Sequence, residues 1–365
     1  MALRTGGGDY LYEIDEEFGD VPDRWMYDVA GVAVDSKSNV YMFTRGEKPV
    51  VVLDNRGKFL HTWGDKKMFP RAHGITIDPE NNLWLTDVFD HTVRKCTPSG
   101  EVLMTIGTSG KPAKAMSGDP FNQCTHVALN PHTGDIFVSD GYLNPKVHKY
   151  APDGRLLYSW GQPGNEPGQF NLPHNIATDR DGYVYVADRH NNRVQVFTPN
   201  GKLEHIWYGM AMPCGMCIDT RSPEQMCYIG ELSSVWWTQA APDFWAAWNR
   251  PGMGPRVSIY SLDGRLQARL CDNGQGNGPG QLIAPHGIAV TPEGDILVAE
   301  VSWTIYAARL SCSSTARLHS MIGKLFEDTR ALTTSDTALP RDAVQWYRIF
   351  VCAEPVDRKS ILQPS

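Results

Sequence analysis

One motif recurs six times along the 365-residue chain, and it limits the possible folds more than any other feature. Its fullest copies begin at Arg71 (RAHGITIDPENNLWLTD), Leu172 (LPHNIATDRDGYVYVAD) and Ala284 (APHGIAVTPEGDILVAE). Three more begin near Ala30, Thr125 and Cys214. In each copy a short apolar run such as GITI reads as a buried strand. A polar turn follows, then a second apolar run such as LWLTD. The third run alternates, as in RVQVF, and a turn such as TPNG leads to a fourth. Four short antiparallel strands per ~40–50 residues describe a propeller blade. The chain is expected to be all-β, a six-bladed β-propeller over residues 1–306.

Two regions break the pattern. Residues 232–255 form an insertion in the fifth copy and carry Trp236, Trp237, Trp245 and Trp248. They read either as an apolar cap on one face or as a lid over the channel mouth, since long loops in compact domains usually have a role or lack order. After Ala307 the repeat is lost, and residues 307–365 read as an atypical C-terminal tail, helical or frame-altered. The sixth copy shows only two strands, so the segment DYLYEIDEEF (9–18) is expected to add one and close the ring.

Bulk properties exclude some functions. The formal charge is −7, which opposes nucleic-acid binding. No run approaches the ~18 apolar residues of a membrane span. The N-terminus MALRTGGGDY has no apolar core of a signal peptide. The eight cysteines follow no disulfide spacing, and the expected location is cytoplasmic.

Aligning the copies isolates one column, just before the glycine of the first strand: Ala30, His73, Thr125, His174, Cys214 and His286. Histidine occupies blades two, four and six. Innermost strands line a propeller's channel, and alternate blades of six stand roughly 120° apart. Three imidazoles so disposed make a facial set of nitrogen ligands suited to Zn²⁺. The competing reading, a histidine encoded by the repeat as filler, does not explain why every second blade lacks it. Cys214 and Cys217 have no second pair with which to form a zinc ribbon; Cys214 can approach the metal or be a buried strand thiol.

A second column lies 14 residues downstream, at Asp87, Asp188 and Glu300, with Arg45, Asp140 and Glu231 at slightly longer offsets. The acids are expected to bind backbone amides of the adjoining turn. Arg45 stands apart, either paired structurally or free to hold a substrate carboxylate. Tyr142, in SDGYLNPKV, is either a packed aromatic or a group that exchanges a proton with a substrate at the channel mouth.

The six copies, ADRHNNRVQVF above all, resemble the NHL repeat. His73, His174 and His286, with the Arg45 stretch VYMFTRG and the Tyr142 stretch FVSDGYLNPKV, resemble the peptidyl-α-hydroxyglycine α-amidating lyase family over nearly the whole propeller. That resemblance implies a carbon–nitrogen lyase that cleaves R–CO–NH–CH(OH)–COO⁻ to an amide and glyoxylate. It implies zinc on the three histidines, and Arg45 and Tyr142 as the catalytic pair. Two departures stand out. Leu143 follows Tyr142 where the family's secreted animal enzymes have a cysteine. Gly287 follows His286 where they have an aspartate that helps bind calcium, so Ca²⁺ is not expected, although the carbonyls of Val32 and Ile75 occupy matching places.

The expected partner is a small carbinolamide or a C-terminally hydroxylated glycine compound. The chain carries no copper monooxygenase sequence, so a separate hydroxylating enzyme is expected upstream. Two other functions compete: a non-catalytic NHL propeller that binds a protein partner, and a calcium-dependent propeller hydrolase of the lactonase kind.

Overall fold

In the computed structural model, residues 3–15, 18–21, 27–233, 251–276, 278–302, 304 and 349–353 are described. The central Trp-rich part of the 232–255 insertion and most of the 307–365 tail lie outside them.

The fold is an all-β propeller. Five four-stranded blades run in sequence order, each an antiparallel meander. Blade one comprises Val29–Val34, Val40–Thr44, Val50–Leu53 and Phe59–Trp63. The second strand of each blade is almost wholly buried, as in Leu83–Asp87 and Val184–Asp188, whereas fourth strands such as Leu156–Trp160 are partly exposed. Apolar side chains from neighbouring blades pack between the sheets; Phe43, Phe69 and Leu85, for example, share one cluster. Such sandwiched faces require the short continuous apolar runs seen in the sequence.

The expectation of six like blades is corrected to five. The sixth sheet is composite and has five strands, in the order Arg4–Gly7, Tyr10–Asp15, Ile349–Ala353, Ile296–Glu300, Pro285–Val290. The segment at 9–18 does supply a strand, which pairs with Ile349–Ala353 at Glu13↔Ala353 and Asp15↔Val351. Residues 349–353 belong to this sheet, although the sequence placed them in a tail beyond the propeller. The inner strand of this sheet lies against blade one, where a Cβ on Gly287 would come within 2.8 Å of the Gly31 Cα.

One irregularity repeats in every sheet. The pairing of first and second strands skips one residue, between Val29 and Gly31, Ala72 and Gly74, Cys124 and His126, Pro173 and Asn175, Pro213 and Gly215, and Pro285 and Gly287. The skipped residues are Ala30, His73, Thr125, His174, Cys214 and His286, the whole of the first sequence column. Each is a β-bulge, which turns a side chain out of the pleat and frees a backbone carbonyl from the ladder.

The acids of the second column anchor these bulges. Asp87 accepts from the amide of Arg71, Asp140 from Asn122, Asp188 from Asn171, and Glu231 from Ala211. Glu300 accepts from Ile283 and Ala284. Each carboxylate therefore ties down the turn leading into its own blade's bulge, as the sequence led us to expect. Arg45 is not in this column: the ladder pairs Val29 with Thr44, as it pairs Ala72 with Asp87, so blade one has Thr44 there.

Candidate functional site

The three bulged histidines meet at the centre. Their ring centroids are 4.7 Å apart in all three pairings, a near-equilateral arrangement. One ligand nitrogen from each lies within 4.8 Å of the others. All three are buried, at 1–4% exposure.

The protonation of the rings follows from their partners. His73 Nδ1 donates to the Thr125 carbonyl at 2.7 Å, His174 Nδ1 to Cys214 at 2.9 Å, and His286 Nδ1 to Ala30 at 2.6 Å. A carbonyl only accepts, so each Nδ1 carries the proton and each Nε2 presents its lone pair. The acceptors are the bulge carbonyls of the following blades. The alternation of histidine with small residues has this physical basis: even blades contribute imidazoles and odd blades contribute the carbonyls that orient them. Such outer partners fix the tautomer of metal-binding histidines.

Burial holds all three imidazoles well below the usual histidine range. For His73 the nearby His286 and Arg45 add to burial; for His174, Arg189 and His286 do; for His286, Arg45 does. Burial also pushes the neighbouring His126 down to about 4. The consequence for stability has a definite sign. Below about pH 6.5 the unfolded chain binds protons that these folded imidazoles refuse, so metal-free protein loses stability as pH falls through that value and keeps it above. Urea unfolding should give a lower midpoint at pH 5.5 than at pH 7, by on the order of 1 kcal/mol per refused proton per pH unit. Equal midpoints would contradict neutral burial.

Tyr142 reaches the same point. Its hydroxyl is 3.0 Å from His73 Nε2 and 3.3 Å from His174 Nε2. The tyrosine is thus at the lone pairs of two candidate ligands rather than packed away from them.

Arg45 lies at the mouth with its side chain nearly buried. Nη1 pairs with Asp28 at 3.2 Å and reaches Thr304 Oγ1 at 3.1 Å, and Nε donates to the Ala72 carbonyl at 3.3 Å. Asp28 also accepts from the Thr304 hydroxyl. Beside it Arg71 is held down to about 10, chiefly by the Arg45 charge, and Lys66 is pushed down to about 8 by burial. Lys66 Nζ donates to the Arg45 carbonyl at 2.7 Å. Blades one and two thus gather three cations near two buried aspartates, Asp28 and Asp87.

Sequence reasoning missed Arg189. The backbone amides of Arg45, Val88, Arg189, Leu232 and Val301 make one repeated bond, to the carbonyl of the residue that precedes each blade's first strand (Asp28, Arg71, Leu172, Met212 and Ala284). Arg45 and Arg189 therefore hold the same position, on blades one and four. Arg189 is buried, and its guanidinium stands 5.6 Å from the centre of the Tyr142 ring. Its Nε makes no hydrogen bond among the described residues. The correct register of the second column would have exposed the pair; in the sequence, DRHNN reads as an ordinary turn.

Cys214 Sγ lies 3.8 Å from His174 Nε2, and burial pushes the thiol up to about 11, which keeps it protonated. The three-histidine donor set fits zinc, which takes such ligands and leaves a further position open. It does not fit calcium. Gly287 supplies no carboxylate, and a side chain there would strike blade one. Among the described residues, the buried side-chain atoms without a hydrogen bond one residue beyond the column are His126 Nδ1 and Asn175 Oδ1, not the oxygen-rich set calcium requires.

Comparisons with known proteins agree with this picture. Residues 170–197 match the NHL repeat family. The chain is 33% identical to peptidyl-alpha-hydroxyglycine alpha-amidating lyase 1 of Drosophila melanogaster, over 67% of this chain and 45% of that protein. It is 34% identical to peptidyl-glycine alpha-amidating monooxygenase of Mus musculus, over 48% of this chain and 21% of that protein. It is also 34% identical to NHL repeat-containing protein 3 of Homo sapiens, over 51% of this chain and 56% of that protein. The chain thus spans about a fifth to just over half the length of these relatives. Among solved structures, a gluconolactonase from Xanthomonas campestris superposes with a TM-score of 0.55 at 11% identity, over 82% of this chain and 92% of that one. Virginiamycin B lyase of Staphylococcus aureus gives 0.52 at 14% identity, over 79% and 82%. At such identities these two show only a shared fold. The chain is a β-propeller, and residues 170–197 match the NHL repeat. Within that class it resembles the peptidyl-α-hydroxyglycine α-amidating lyases.

Proposed function

We propose that this chain is a zinc-dependent lyase acting on an α-hydroxyglycine-type carbinolamide, with the composite sheet serving as the sixth blade of a closed ring. The observation that carries the reading is the convergence of three unprotonated Nε2 atoms with the Tyr142 hydroxyl. His73, His174 and His286 would hold the ion. Zinc, when bound, supplies a Lewis acid that lowers the pKa of a substrate hydroxyl.

The chain's own groups account for the rest. In its phenolate form the Tyr142 oxygen would take the proton that leaves the substrate hydroxyl. Returned to the amide nitrogen as the C–N bond breaks, that proton completes the reaction: the amide departs and the remaining carbon becomes the aldehyde carbonyl of glyoxylate. Arg45 and Arg71 supply the charge that attracts the substrate carboxylate, with Arg45 partly engaged by Asp28. Arg189, over the Tyr142 ring, would offset the negative charge of that phenolate before it takes the proton. The substrate itself comes from a separate hydroxylation.

Metal analysis and a glyoxylate assay test the proposal together. Purified protein should hold one zinc per chain, lose glyoxylate release on chelation and regain it with added zinc. Full activity in metal-free protein would refute it. A non-catalytic propeller, the second reading, is favoured by the likeness to NHL repeat-containing protein 3, and predicts no stoichiometric metal.

A further inference from the structure

Two arginines at the mouth lie over aromatic rings that hold the same place in neighbouring blades. Phe89 and Tyr142 each stand two residues beyond the acid that ends the second strand, Asp87 on blade two and Asp140 on blade three. The Arg71 guanidinium is 5.5 Å from the centre of the Phe89 ring, and that of Arg189 is 5.6 Å from the centre of the Tyr142 ring. Phe89 has no hydroxyl and cannot exchange a proton, so the two pairs serve different ends.

Arg45, Lys66, Arg71 and Arg189 are the candidates to hold a substrate carboxylate, and what each already bonds decides between them. Arg45 Nη1 is shared between Asp28 and Thr304, its Nε is bonded to the Ala72 carbonyl, and its side chain is 8% exposed. Lys66 Nζ donates to the Arg45 carbonyl at 2.7 Å. Arg189 keeps an unbonded Nε among the described residues, yet it is only 4% exposed, with its guanidinium against the Tyr142 ring and Nη1 4.0 Å from Cys214 Sγ. Arg71 differs from all three. It is half-buried, and among the described residues its guanidinium makes one hydrogen bond, to Thr304 Oγ1 at the outer limit of 3.5 Å. Its backbone is fixed nevertheless: the amide donates to Asp87 and the carbonyl accepts from Val88. With Phe89 on one face of the guanidinium, the N–H edge is left for a ligand, and that edge has the fork geometry that pairs with a carboxylate. Tyr142 is near enough for its charge to act on Arg71. The charges agree. Lys66, Arg45 and Arg71 act on one another and on Asp28 and Asp87, so three cations face two aspartates and one carboxylate completes the balance.

We infer that Arg71 receives the substrate carboxylate as a bidentate pair, with Phe89 as its platform and Arg45, held by Asp28, as its fixed neighbour. The inference rests on the lyase reading of the centre. It makes Arg71 the residue that distinguishes a free carboxylate from a blocked one, since a carboxamide in the same place keeps the shape and loses the charge.

The test follows benzamide release by the purified, zinc-loaded chain from N-benzoyl-α-hydroxyglycine and from its terminal carboxamide. Wild type should favour the acid by roughly 10–100-fold in kcat/KM, the usual size of a charge-assisted pair. Arg71→Met should remove most of that preference through KM, with zinc content unchanged. Arg71→Lys should restore part of it, because the charge returns without the fork. Phe89→Leu should weaken the acid a few-fold and leave the carboxamide within about twofold. N-benzoylglycine, which has no hydroxyl to cleave, gives a reading without turnover: by calorimetry it should bind Arg71→Met about tenfold or more weakly than wild type. A preference for the acid kept in full by Arg71→Met, or equal binding of N-benzoylglycine to both proteins, would overturn the assignment. Loss of that binding in Arg189→Met but not in Arg71→Met would place the carboxylate on blade four. Benzamide released from neither compound would instead overturn the lyase reading, while the calorimetric comparison still decides whether Arg71 is the carboxylate site.

Discussion

Replacing His174 with alanine is expected to leave the protein without stoichiometric zinc and to reduce glyoxylate release at least 10³-fold. The reasoning is geometric. Three Nε2 lone pairs face one point, and two imidazoles cannot hold zinc in the fixed facial geometry that three provide. The variant also removes the donor to the Cys214 carbonyl at 2.9 Å, which loosens the join between blades four and five. Circular dichroism and urea unfolding would show whether the fold survives that change. His132, an exposed histidine in a blade-three turn, is the control, and His132→Ala should keep both metal and activity. Zinc retained at full occupancy in His174→Ala would remove the histidine centre from consideration.

Tyr142→Phe is expected to keep the zinc and lose about 10²–10⁴-fold in kcat, the usual contribution of a positioned proton-transfer group. The substitution removes one oxygen and no packing surface. Among the described residues that oxygen hydrogen-bonds to His73 and His174, at 3.0 and 3.3 Å, so the fold should be indifferent to its loss. A fall in kcat with metal content unchanged separates proton transfer from metal binding. An unchanged kcat would assign the proton to another group.

The three converging histidines were readable from the sequence because a repeat makes each position comparable with five others. His73, His174 and His286 stand out against Ala30, Thr125 and Cys214 only when the copies are aligned. The acids after the second strand were legible for the same reason, and their bonds to backbone amides follow the expected pattern. Arg45 was recognised but misplaced by one residue, because turns of unequal length blur the spacing; strand pairing restores it opposite Arg189. Its partners Asp28 and Thr304 were not legible, since Thr304 is distant in sequence and meets it only where the ring joins. The third strand of the last sheet was also hidden. Ile349–Ala353 has no neighbouring repeat, and its place is set by the open edges of Ile296–Glu300 and Tyr10–Asp15.

The bulges have a consequence for assembly. Each central histidine is oriented by a carbonyl of the next blade, and for His286 that carbonyl is Ala30, 256 residues earlier in the chain. The three-histidine geometry therefore exists only when the first and last sheets are in contact. A metal that prefers this geometry binds the closed circle and not the open one, so occupancy and closure are linked equilibria. Such an ion would act as a clasp: at free concentrations a hundredfold above its dissociation constant it would add about 2.7 kcal/mol to the closed state. Withdrawing it should first be felt at the seam between the two ends of the chain rather than uniformly around the propeller.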